Sequence, residues 1–519
     1  MKEIMIMDTT LRDGEQTSGV NFTASEKFAV AKNLLEEVKV DRIEIASARV
    51  SKGEKEAASK IFEWATLHGH IEKVETLAFI DGKQSIDWVL ETGGKVVNLL
   101  AKGFLNHLEG QLGKTPGQHL EEIKFCISYA IKNHLKINLY LEDWSNGMKN
   151  SKDYIFHLID ELSSEPIERY MLPDTLGILT PAETGIFCKE MIHRFPNLEF
   201  DFHAHNDYDL AVANVLEAVN AGISCIHTTV NGLGERAGNA VLSSVIASCR
   251  DHLNVSFSIE EEKLFRISKL VESFSGHRIP ANKPLIGDNV FTQTCGVHAD
   301  GDNKGQLYFN KLMPERFGRT RKYALGKTSG KANIRKNLEE LGMELDNEAL
   351  KKVTQKVIEL ADKKEHVTIE DLPYIVADVL EWESIGQQVR IKNYNLTHTK
   401  GLKPVASVSL QIREQSFEAN ANGDGQYDAF MNALKSIYRE NEWELPSLID
   451  YSVSIPPGGR TDAIVETTIT WQGEREFKTR GIDTDQTFAA IKATEKMLNL
   501  IQNPHSKVKN KKEKVILQE

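Results

Sequence analysis

The chain has 519 residues, of which 40% are hydrophobic and 27% are charged, and its formal net charge is -12. A single hydrophobic core stops growing at roughly 250–300 residues, so this length predicts at least two domains. The acidic balance argues against a nucleic-acid partner, and no apolar run approaches the roughly 18 residues that a membrane span requires.

The N-terminal residues lack the basic region, the apolar region and the small-residue cleavage site of a secretory signal. The five cysteines are scattered and never form a C-x-x-C pair. This spacing argues against a disulfide framework and against a structural zinc site. We therefore expect a cytoplasmic protein with reduced thiols.

Strand patterns alternate with amphipathic helical patterns from the N-terminus to about residue 250, which is typical of a parallel sheet with crossover helices. Eight strands are predicted, at 3–8, 42–46, 74–80, 96–101, 137–143, 168–174, 198–205 and 224–230. Eight parallel strands, each followed by a helix, form a (β/α)8 TIM barrel, which we expect over residues 1–285.

The segment after the first strand shows the helical pattern most clearly. Apolar residues recur there at i, i+3 and i+4 spacing behind a predicted cap at Ser25: Phe28, Ala31, Leu34, Leu35 and Val38. Catalytic groups of such barrels gather at the C-terminal ends of the strands, because the loops there form one rim. The polar clusters of this chain are expected at that rim.

These polar clusters lie at or just after the ends of five predicted strands. They are Arg12, Asp13 and Glu15 for the first strand, Glu142 and Asp143 for the fifth, Asp174 and Thr175 for the sixth, His203 and His205 for the seventh, and 231–239 for the eighth. Alternation along a strand sends His203 and His205 to one face, where they can bind one ion. Two hydrogen-bonded strand histidines are the alternative for this pair.

Asp13 is expected at the mouth of the same barrel, so a carboxylate and two imidazoles converge and leave positions open for water and substrate oxygens. Such a site is catalytic, and its nitrogen and oxygen ligands suit Mg²⁺, Mn²⁺ or Zn²⁺ without deciding among them. Arg12 is then placed to stabilise negative charge on a substrate oxygen. A structural ion pair with Asp13 is the alternative for Arg12.

Five motifs cover most of residues 1–335 in a fixed order: LRDGEQTSG, LPDTLGILTP, FHAHNDYDLAVAN, NGLGERAGN and GVHADG. Together they resemble the α-isopropylmalate, homocitrate and citramalate synthases, which are metal-dependent TIM-barrel enzymes. The resemblance implies a Claisen-type condensation that adds the acetyl carbon of acetyl-CoA to the keto group of a 2-oxo acid. Hydrolysis of the CoA thioester then makes the reaction irreversible.

The same resemblance implies roles for individual residues. The implied metal ligands are Asp13, His203, His205 and Asn239. The residues implied to hold the 2-oxo acid are Arg12 and Thr175. The residues implied to act in catalysis, beside Arg12, are Glu142, His298 and Tyr308. The acetyl-CoA contacts are implied to come from Asp300, Gln306 and Leu307, although the citramalate branch leads us to expect Asn rather than Gln at position 306.

The resemblance is closest to the citramalate branch, through IEIASARVSKGE, NLLAKG, YLEDWSNG and FTQTCGVHADGDNKGQLY. It implies pyruvate as substrate, with Leu77, Leu100 and Tyr140 as apolar rim residues that leave room for a methyl but not an isopropyl group. Ordinary barrel packing is the alternative for these three residues. A second substrate carboxylate, as in 2-oxoglutarate, would require a cationic partner, and none is identified at the rim from the sequence.

Residues 286–390 are predicted to form a linker and helical subdomains that carry His298. In the family this segment reaches over the neighbouring subunit's active site, so the resemblance implies a homodimer whose site is completed by the partner. From Tyr394 the pattern changes to two strand-then-helix units in tandem. A basic tail, 506–519, follows and is expected to be solvated.

The motifs GDGQYDAF, GGRTDAIVET and GIDTDQTFAAIKATEKML of residues 391–505 resemble the carboxy-terminal dimer domain of isopropylmalate and citramalate synthases. This α+β domain binds an end-product amino acid and inhibits at a distance, which implies regulation by a branched-chain amino acid. The candidate effector residues are Tyr427, Asp428, Leu448 and Tyr451. A domain that only holds subunits together is the alternative.

Three other functions compete with citramalate formation. The first is α-isopropylmalate synthesis from 2-oxoisovalerate, which has the same chemistry. The second is an amino-acid sensor with an inactive barrel, against which the intact polar residues of the rim argue. The third is a lyase that cleaves a hydroxyacyl-CoA, which is not expected to carry the C-terminal tandem domain.

Overall fold

The structure is a computed structural model that describes residues 3–294, 301, 305, 307–341, 343–362, 367, 369–380, 388–454, 465–473 and 476–502. The chain forms two compact units. The first comprises Met1–Phe291 and Phe309–Arg321, and the second comprises Thr292–Tyr308 and Lys322–Glu519. The sequence analysis places the end of the barrel domain at residue 285 and does not predict that 309–321 returns to the barrel unit.

The first unit is a closed barrel of eight parallel strands in sequence order. The strands β1 to β8 are Met5–Asp8, Arg42–Ser47, Val74–Phe79, Val96–Lys102, Lys136–Glu142, Arg169–Asp174, Phe200–Ala204 and Cys225–Thr228. Closure is made by β1, which pairs with both β2 and β8. The predicted TIM barrel is therefore confirmed, with strand ends within two residues of those predicted.

Helices connect and flank the strands. They are α1 to α11, at Ala24–Lys32, Lys52–Leu67, Gln84–Thr92, Leu105–Leu112, Pro116–Lys132, Trp144–Asn150, Lys152–Leu162, Pro181–Arg194, Ala211–Ala221, Leu242–Leu253 and Leu264–Ser275. The predicted cap at Ser25 is wrong. Thr23 caps α1 instead, because its hydroxyl accepts from the backbone N–H of Glu26 while the Glu26 carboxylate accepts from the backbone N–H of Thr23.

After α1 the chain continues as a π-helical turn, Asn33–Val38, and ends in the left-handed region at Lys39 (φ 65°). Leu34, Leu35 and Val38 are buried there, as the apolar pattern predicts. A π-helix has more residues per turn than an α-helix, so successive apolar side chains lie at slightly different angles around its axis. The segment therefore keeps its predicted core face although it departs from α geometry.

The barrel strands separate an apolar outer layer from an interior that contains both charged side chains and a small apolar cluster. Ile43 and Ile45 of β2 belong to the large apolar core that includes the helices. Their neighbour Arg42 crosses the interior to both carboxylate oxygens of Glu75, at 2.5 and 2.9 Å, and to Asp201, at 2.6 Å. Alternation along β2, β3 and β7 thus sends these charged side chains inward, and their pairing offsets the cost of burial.

The second unit begins with a short parallel pair, β9 (Thr292–Gln293) and β10 (Lys322–Tyr323). Three helices follow, α12 (Lys331–Glu340), α13 (Asn347–Asp362) and α14 (Leu372–Leu380). They share an apolar core that includes Ile334, Leu338, Leu350, Val353 and Val357. The helical periodicity of this part of the sequence is therefore confirmed.

Two three-stranded antiparallel sheets follow, each ending in a helix. The first contains β11 (Val389–Thr397), β12 (Val405–Ile412), β13 (Gln415–Asn422) and α15 (Gln426–Glu440), and the second β14 (Ser447–Ser454), β15 (Val465–Gln472), β16 (Glu476–Asp483) and α16 (Gln486–Gln502). The predicted tandem is confirmed. Among the described residues, no helix combines the length and the apolar character needed to cross a bilayer.

Candidate active site

Asp13, His203 and His205 meet at the barrel mouth. The Nε2 atoms of His203 and His205 lie 3.0 and 3.9 Å from Oδ2 of Asp13, and the two Nε2 atoms are 3.3 Å apart. All three side chains are buried. Their donor atoms are therefore close enough to share one cation.

Backbone pairing brings Asn239 to the same place. His205 and Asn239 form an antiparallel bridge between the end of β7 and the loop after β8. The Asn239 side-chain amide donates to the carbonyl of Leu233 at 3.2 Å, which leaves Oδ1 buried without a donor among the described residues. Oδ1 of Asp13 is buried and without a donor as well. Unsatisfied acceptors beside two imidazoles suit a divalent cation.

The protonation states fit this ligand set. Burial alone would raise the pKa of Asp13, but the Arg12 guanidinium and the two imidazoles outweigh it and hold that pKa well below its usual range. Burial lowers the pKa of His203 and lowers that of His205 to about 4. An ionised carboxylate and neutral imidazoles are the forms that bind metals.

A buried lysine holds the loop that carries Asp13. Lys27 of α1 donates to the carbonyls of Leu11 and Ile45, at 3.0 and 3.4 Å. Its Nζ also lies 2.6 Å from the Glu15 carboxylate and 2.5 Å from that of Glu54. The loop after β1 is thereby tied to the end of β2 and to α2, because one ammonium group contacts all four partners.

Arg12 does more than pair with Asp13. Its Nε donates to Glu44 at 2.5 Å and its Nη2 to the Tyr140 hydroxyl at 3.4 Å, while Nη1 lies 3.6 Å from Asp13. Glu44 is fully buried in β2. The sequence analysis did not select Glu44, although a single carboxylate inside the apolar strand RIEIA was a signal that could have found it.

The three predicted rim residues Leu77, Leu100 and Tyr140 lie together. They share an apolar cluster inside the barrel with Met7 and Met171. Leu77 and Tyr140 are buried and Leu100 is partly exposed. The Tyr140 hydroxyl, however, contacts polar groups, so Tyr140 is apolar only through its ring.

Glu142 and Thr175 lie at the rim in separate contacts. Glu142 is bound by Nζ of Lys102 at 2.5 Å. The sequence analysis identified no cationic partner at the rim for a second substrate carboxylate, but Lys102 ends β4 there and is paired with Glu142. Oγ1 of Thr175 accepts from the backbone N–H of Asp143 at 2.9 Å, and its carbonyl accepts from Nη2 of Arg236 at 2.7 Å. The loops after β5, β6 and β8 are thus joined.

Three predicted residues, His298, Asp300 and Gln306, lie outside the described residues. Leu307 and Tyr308 are described in the second unit, and both are exposed.

Two of the candidate effector residues, Tyr427 on α15 and Tyr451 on β14, lie close together. The rings of Tyr427 and Tyr451 are 5.5 Å apart, and the Tyr427 hydroxyl is 2.8 Å from Oγ1 of Thr494. Leu448 lies on the same strand as Tyr451 and is exposed. Asp428 accepts from the backbone N–H of Asp424 at 2.9 Å, which stabilises the turn before α15.

Three family models match consecutive parts of the chain. They are HMGL-like over residues 3–271, homocitrate synthase post-HMGL domain-like over 285–365, and the LeuA allosteric (dimerisation) domain over 366–502. The three parts of the predicted architecture therefore each have a family counterpart.

Relatives match nearly the whole chain. The (R)-citramalate synthase CimA of Methanocaldococcus jannaschii is 32% identical over 504 residues, covering 96% of this chain and 100% of that protein. The 2-isopropylmalate synthase of the same organism is 31% identical, covering 96% and 94%. That of Aquifex aeolicus is 28% identical, covering 96% of each chain. The chain belongs to the HMGL-like family and, within it, to the acyltransferase-type condensing enzymes that include (R)-citramalate synthase and 2-isopropylmalate synthase.

Proposed function

We propose that this protein condenses acetyl-CoA with pyruvate to give (R)-citramalate and CoA. The observation that carries the proposal is the convergence of Asp13, His203 and His205 beside the Arg12 guanidinium. These buried carboxylate and imidazole groups can bind a metal ion, and the Arg12 guanidinium lies beside them. Such an arrangement stabilises an oxyanion that develops during a reaction.

Asp13, His203, His205 and Asn239 would hold a divalent cation, which is Mg²⁺, Mn²⁺ or Zn²⁺. When bound, it supplies Lewis-acid polarisation of a substrate oxygen. The keto oxygen and carboxylate of the 2-oxo acid are proposed to bind on the side of Arg12, whose Nη1 lies 3.6 Å from Asp13, with Thr175 contributing from the end of β6.

Arg12 stabilises the negative charge that forms on the keto oxygen as the new carbon–carbon bond forms. Its orientation is supported by Glu44 on Nε and by Tyr140 on Nη2. A guanidinium held in this way loses little entropy when the charge develops, so its electrostatic contribution is large.

Proton transfer is assigned to Glu142 and His298, with Tyr308 nearby in the chain. A base takes a proton from the acetyl methyl group, the resulting carbanion attacks the keto carbon, and water then cleaves the thioester to release CoA. Glu142 is half-buried at the rim and held by Lys102. His298, with Asp300, Gln306 and Leu307 for acetyl-CoA, is proposed to act from the partner subunit.

The preference for pyruvate rests on the cluster of Leu77, Leu100 and Tyr140. These side chains fill the barrel beside Arg12, so an isopropyl group would meet them where a methyl group does not. The binding energy of one methylene is only about 1–3 kcal/mol, and steric exclusion supplies the rest of the discrimination. Lys102 is already neutralised by Glu142, which disfavours 2-oxoglutarate.

The test is CoA release by the purified protein, followed with a thiol reagent, with acetyl-CoA and a panel of pyruvate, 2-oxoisovalerate and 2-oxoglutarate. We expect the highest kcat/KM with pyruvate, loss of activity in chelator and recovery with a divalent cation. A higher kcat/KM with 2-oxoisovalerate would instead make this protein a 2-isopropylmalate synthase. No CoA release with any 2-oxo acid would contradict the proposed reaction.

We also propose that the C-terminal domain forms a homodimer and inhibits the barrel when a branched-chain amino acid binds near Tyr427, Asp428, Leu448 and Tyr451. The match to the allosteric domain family supports this. Titration with leucine, isoleucine and valine should lower activity with at least one of them, and Tyr451→Ala should weaken the response. If the protein is a dimer but none of the three amino acids inhibits it, the domain serves only to hold the subunits together.

A further inference from the structure

A chain of buried polar contacts runs from the candidate active site into the barrel. The Tyr140 hydroxyl lies 3.1 Å from Nδ1 of His227, and Nε2 of His227 lies 3.1 Å from Oδ2 of Asp201. These three side chains come from β5, β8 and β7 and are all buried. Neither His227 nor Asp201 has a place in the proposed reaction.

Asp201 fixes the proton position on His227. Nη1 of Arg42 donates to Oδ2 of Asp201 at 2.6 Å, and Arg169 donates to Oδ1. A carboxylate bound by two guanidiniums is ionised and can only accept hydrogen bonds. The hydrogen between Asp201 and His227 therefore belongs to Nε2 of the imidazole, and the ring is the tautomer that leaves Nδ1 as an acceptor.

The same two guanidiniums rule out a second metal site. Asp201, Cys225 and His227 lie close enough to share a cation. Arg42 and Arg169, however, already supply two positive charges to Asp201, and Nη1 of Arg42 also contacts Sγ of Cys225 at 3.4 Å. The cluster is a hydrogen-bonding unit.

The tautomer of His227 sets the direction of the bonds to Tyr140. Because Nδ1 accepts, the single hydroxyl hydrogen of Tyr140 is donated to it at 3.1 Å, a shorter contact than the 3.5 Å to Oε2 of Glu44. The phenol oxygen then accepts from Nη2 of Arg12. The hydroxyl hydrogen consequently points towards His227 and away from Arg12.

We propose that His227, held by Asp201, is a positioning residue that acts through Tyr140. It removes the only donor of Tyr140 from the substrate pocket, so that the ring edge serves as an apolar wall, and it makes the phenol oxygen an acceptor that orients Arg12. This inference rests on the proposed function, because it assigns the pocket to the 2-oxo acid.

Two substitutions separate the two ring nitrogens. His227→Asn places a carbonyl oxygen near the position of Nδ1 and keeps the acceptor for Tyr140. His227→Gln places an amide near the position of Nε2 and keeps the donor to Asp201, but offers Tyr140 no acceptor. We expect His227→Gln to raise the KM for pyruvate about 5- to 10-fold, with the KM for acetyl-CoA unchanged. For His227→Asn, the KM for pyruvate and the KM for acetyl-CoA should both stay within about 2-fold of those of the unmodified protein.

A double-mutant cycle with Tyr140→Phe provides the decisive readout. If His227 acts through the Tyr140 hydroxyl, His227→Gln has no further effect on kcat/KM once that hydroxyl is absent. A merely structural role would give additive effects and would lower the unfolding midpoint of both His227 variants alike. Thermal unfolding of each variant is therefore measured beside the kinetics.

The outcomes distinguish this inference from the proposed function. Additive effects, or a His227→Gln variant that raises both KM values equally, overturn the role of His227 while the enzyme remains active with 2-oxo acids. If the unmodified protein releases no CoA with any 2-oxo acid, the proposed function fails and this inference fails with it. Should His227→Gln not fold, a His227→Asn variant with a pyruvate KM raised more than 5-fold overturns the inference.

Discussion

At the scale of single residues, the Arg12 guanidinium is held by its shape as well as by its charge. Nε and Nη2 are directed to Glu44 and Tyr140, which leaves Nη1 on the side of Asp13. A lysine ammonium carries the same charge but has no planar fork with which to reach these partners together. The chemistry proposed for Arg12 therefore depends on geometry that charge alone does not supply.

Arg12→Lys is accordingly expected to lower kcat/KM for the 2-oxo acid by about 10²- to 10³-fold, the usual loss for an oxyanion-stabilising group. The charge is retained but the directed bonds to the buried Glu44 and to Tyr140 are not, so the unfolding midpoint should fall modestly. Steady-state kinetics with varied 2-oxo acid checks the first part and thermal unfolding the second. An Arg12→Lys variant within 3-fold of the unmodified protein would show that charge at this position suffices.

A single histidine supplies part of the pH dependence of stability. Nε2 of His119 accepts the backbone N–H of Lys102 at 3.0 Å, and burial lowers the pKa of His119 from 6.5 to about 4. At a pH between these two pKa values, His119 is protonated in the unfolded chain and neutral in the folded chain. Stability from this group is therefore complete above pH 6.5 and is lost as the pH falls towards 4, by at most about 3 kcal/mol.

His119→Gln keeps an acceptor for Lys102 but does not titrate. We expect its free energy of unfolding to fall less than that of the unmodified protein between pH 7 and pH 5, with denaturant unfolding as the measurement. The other buried histidines contribute equally to both proteins. Parallel pH dependence of the two would remove His119 from this account.

At the scale of elements, Lys27 joins α1 to the rim. Its ammonium compensates two carboxylates, Glu15 and Glu54, and bonds the carbonyl of Leu11 beside Arg12. Removing one partner of a buried ion pair leaves uncompensated charge behind, which costs far more than a surface pair is worth. The loop after β1 should therefore depend on this lysine for its position.

Lys27→Met is expected to cost about 3 kcal/mol of unfolding free energy and to lower activity in the protein that remains folded. Lys32→Met is the matched control on the same helix, since Lys32 is half-exposed and lies 3.7 Å from Glu36. Its cost should stay below about 0.5 kcal/mol. Urea unfolding compares the two, and equal costs would contradict the role given to Lys27.

Periodicity made the barrel and its mouth predictable. Strands with side chains of period 2 and helices of period 3.6 alternate clearly in the sequence, and the His203 and His205 pair needed only strand geometry to share a face. Glu44, Lys102 and His227 were missed, because one polar residue inside an apolar strand does not show which other strands it will meet. Closure of the sheet brings them together, and closure is a property of all eight strands.

At the scale of the whole molecule, the order of the parts was predictable from motifs, whereas the path of the chain between the two units was not. Phe309–Arg321 belongs to the barrel unit although the chain on both sides belongs to the second unit. Its anchors are a buried Phe317 and Arg316, which contacts Glu261 at 2.6 Å and Asp251 at 2.8 Å. Such contacts between segments distant in sequence leave no periodic pattern to detect.

Because Phe309–Arg321 belongs to the barrel unit, cutting the chain on either side of this segment should have different results. A protease recognition sequence inserted after Gly305 would give an N-terminal fragment with most of the barrel and a C-terminal fragment that still begins with the Phe309–Arg321 anchor. Because Arg316, Phe317 and Arg319 stay docked on the barrel, we expect one species on a native gel and two bands on a denaturing gel. A cut after Arg321 leaves these anchoring residues on the N-terminal fragment, so the C-terminal fragment no longer carries them.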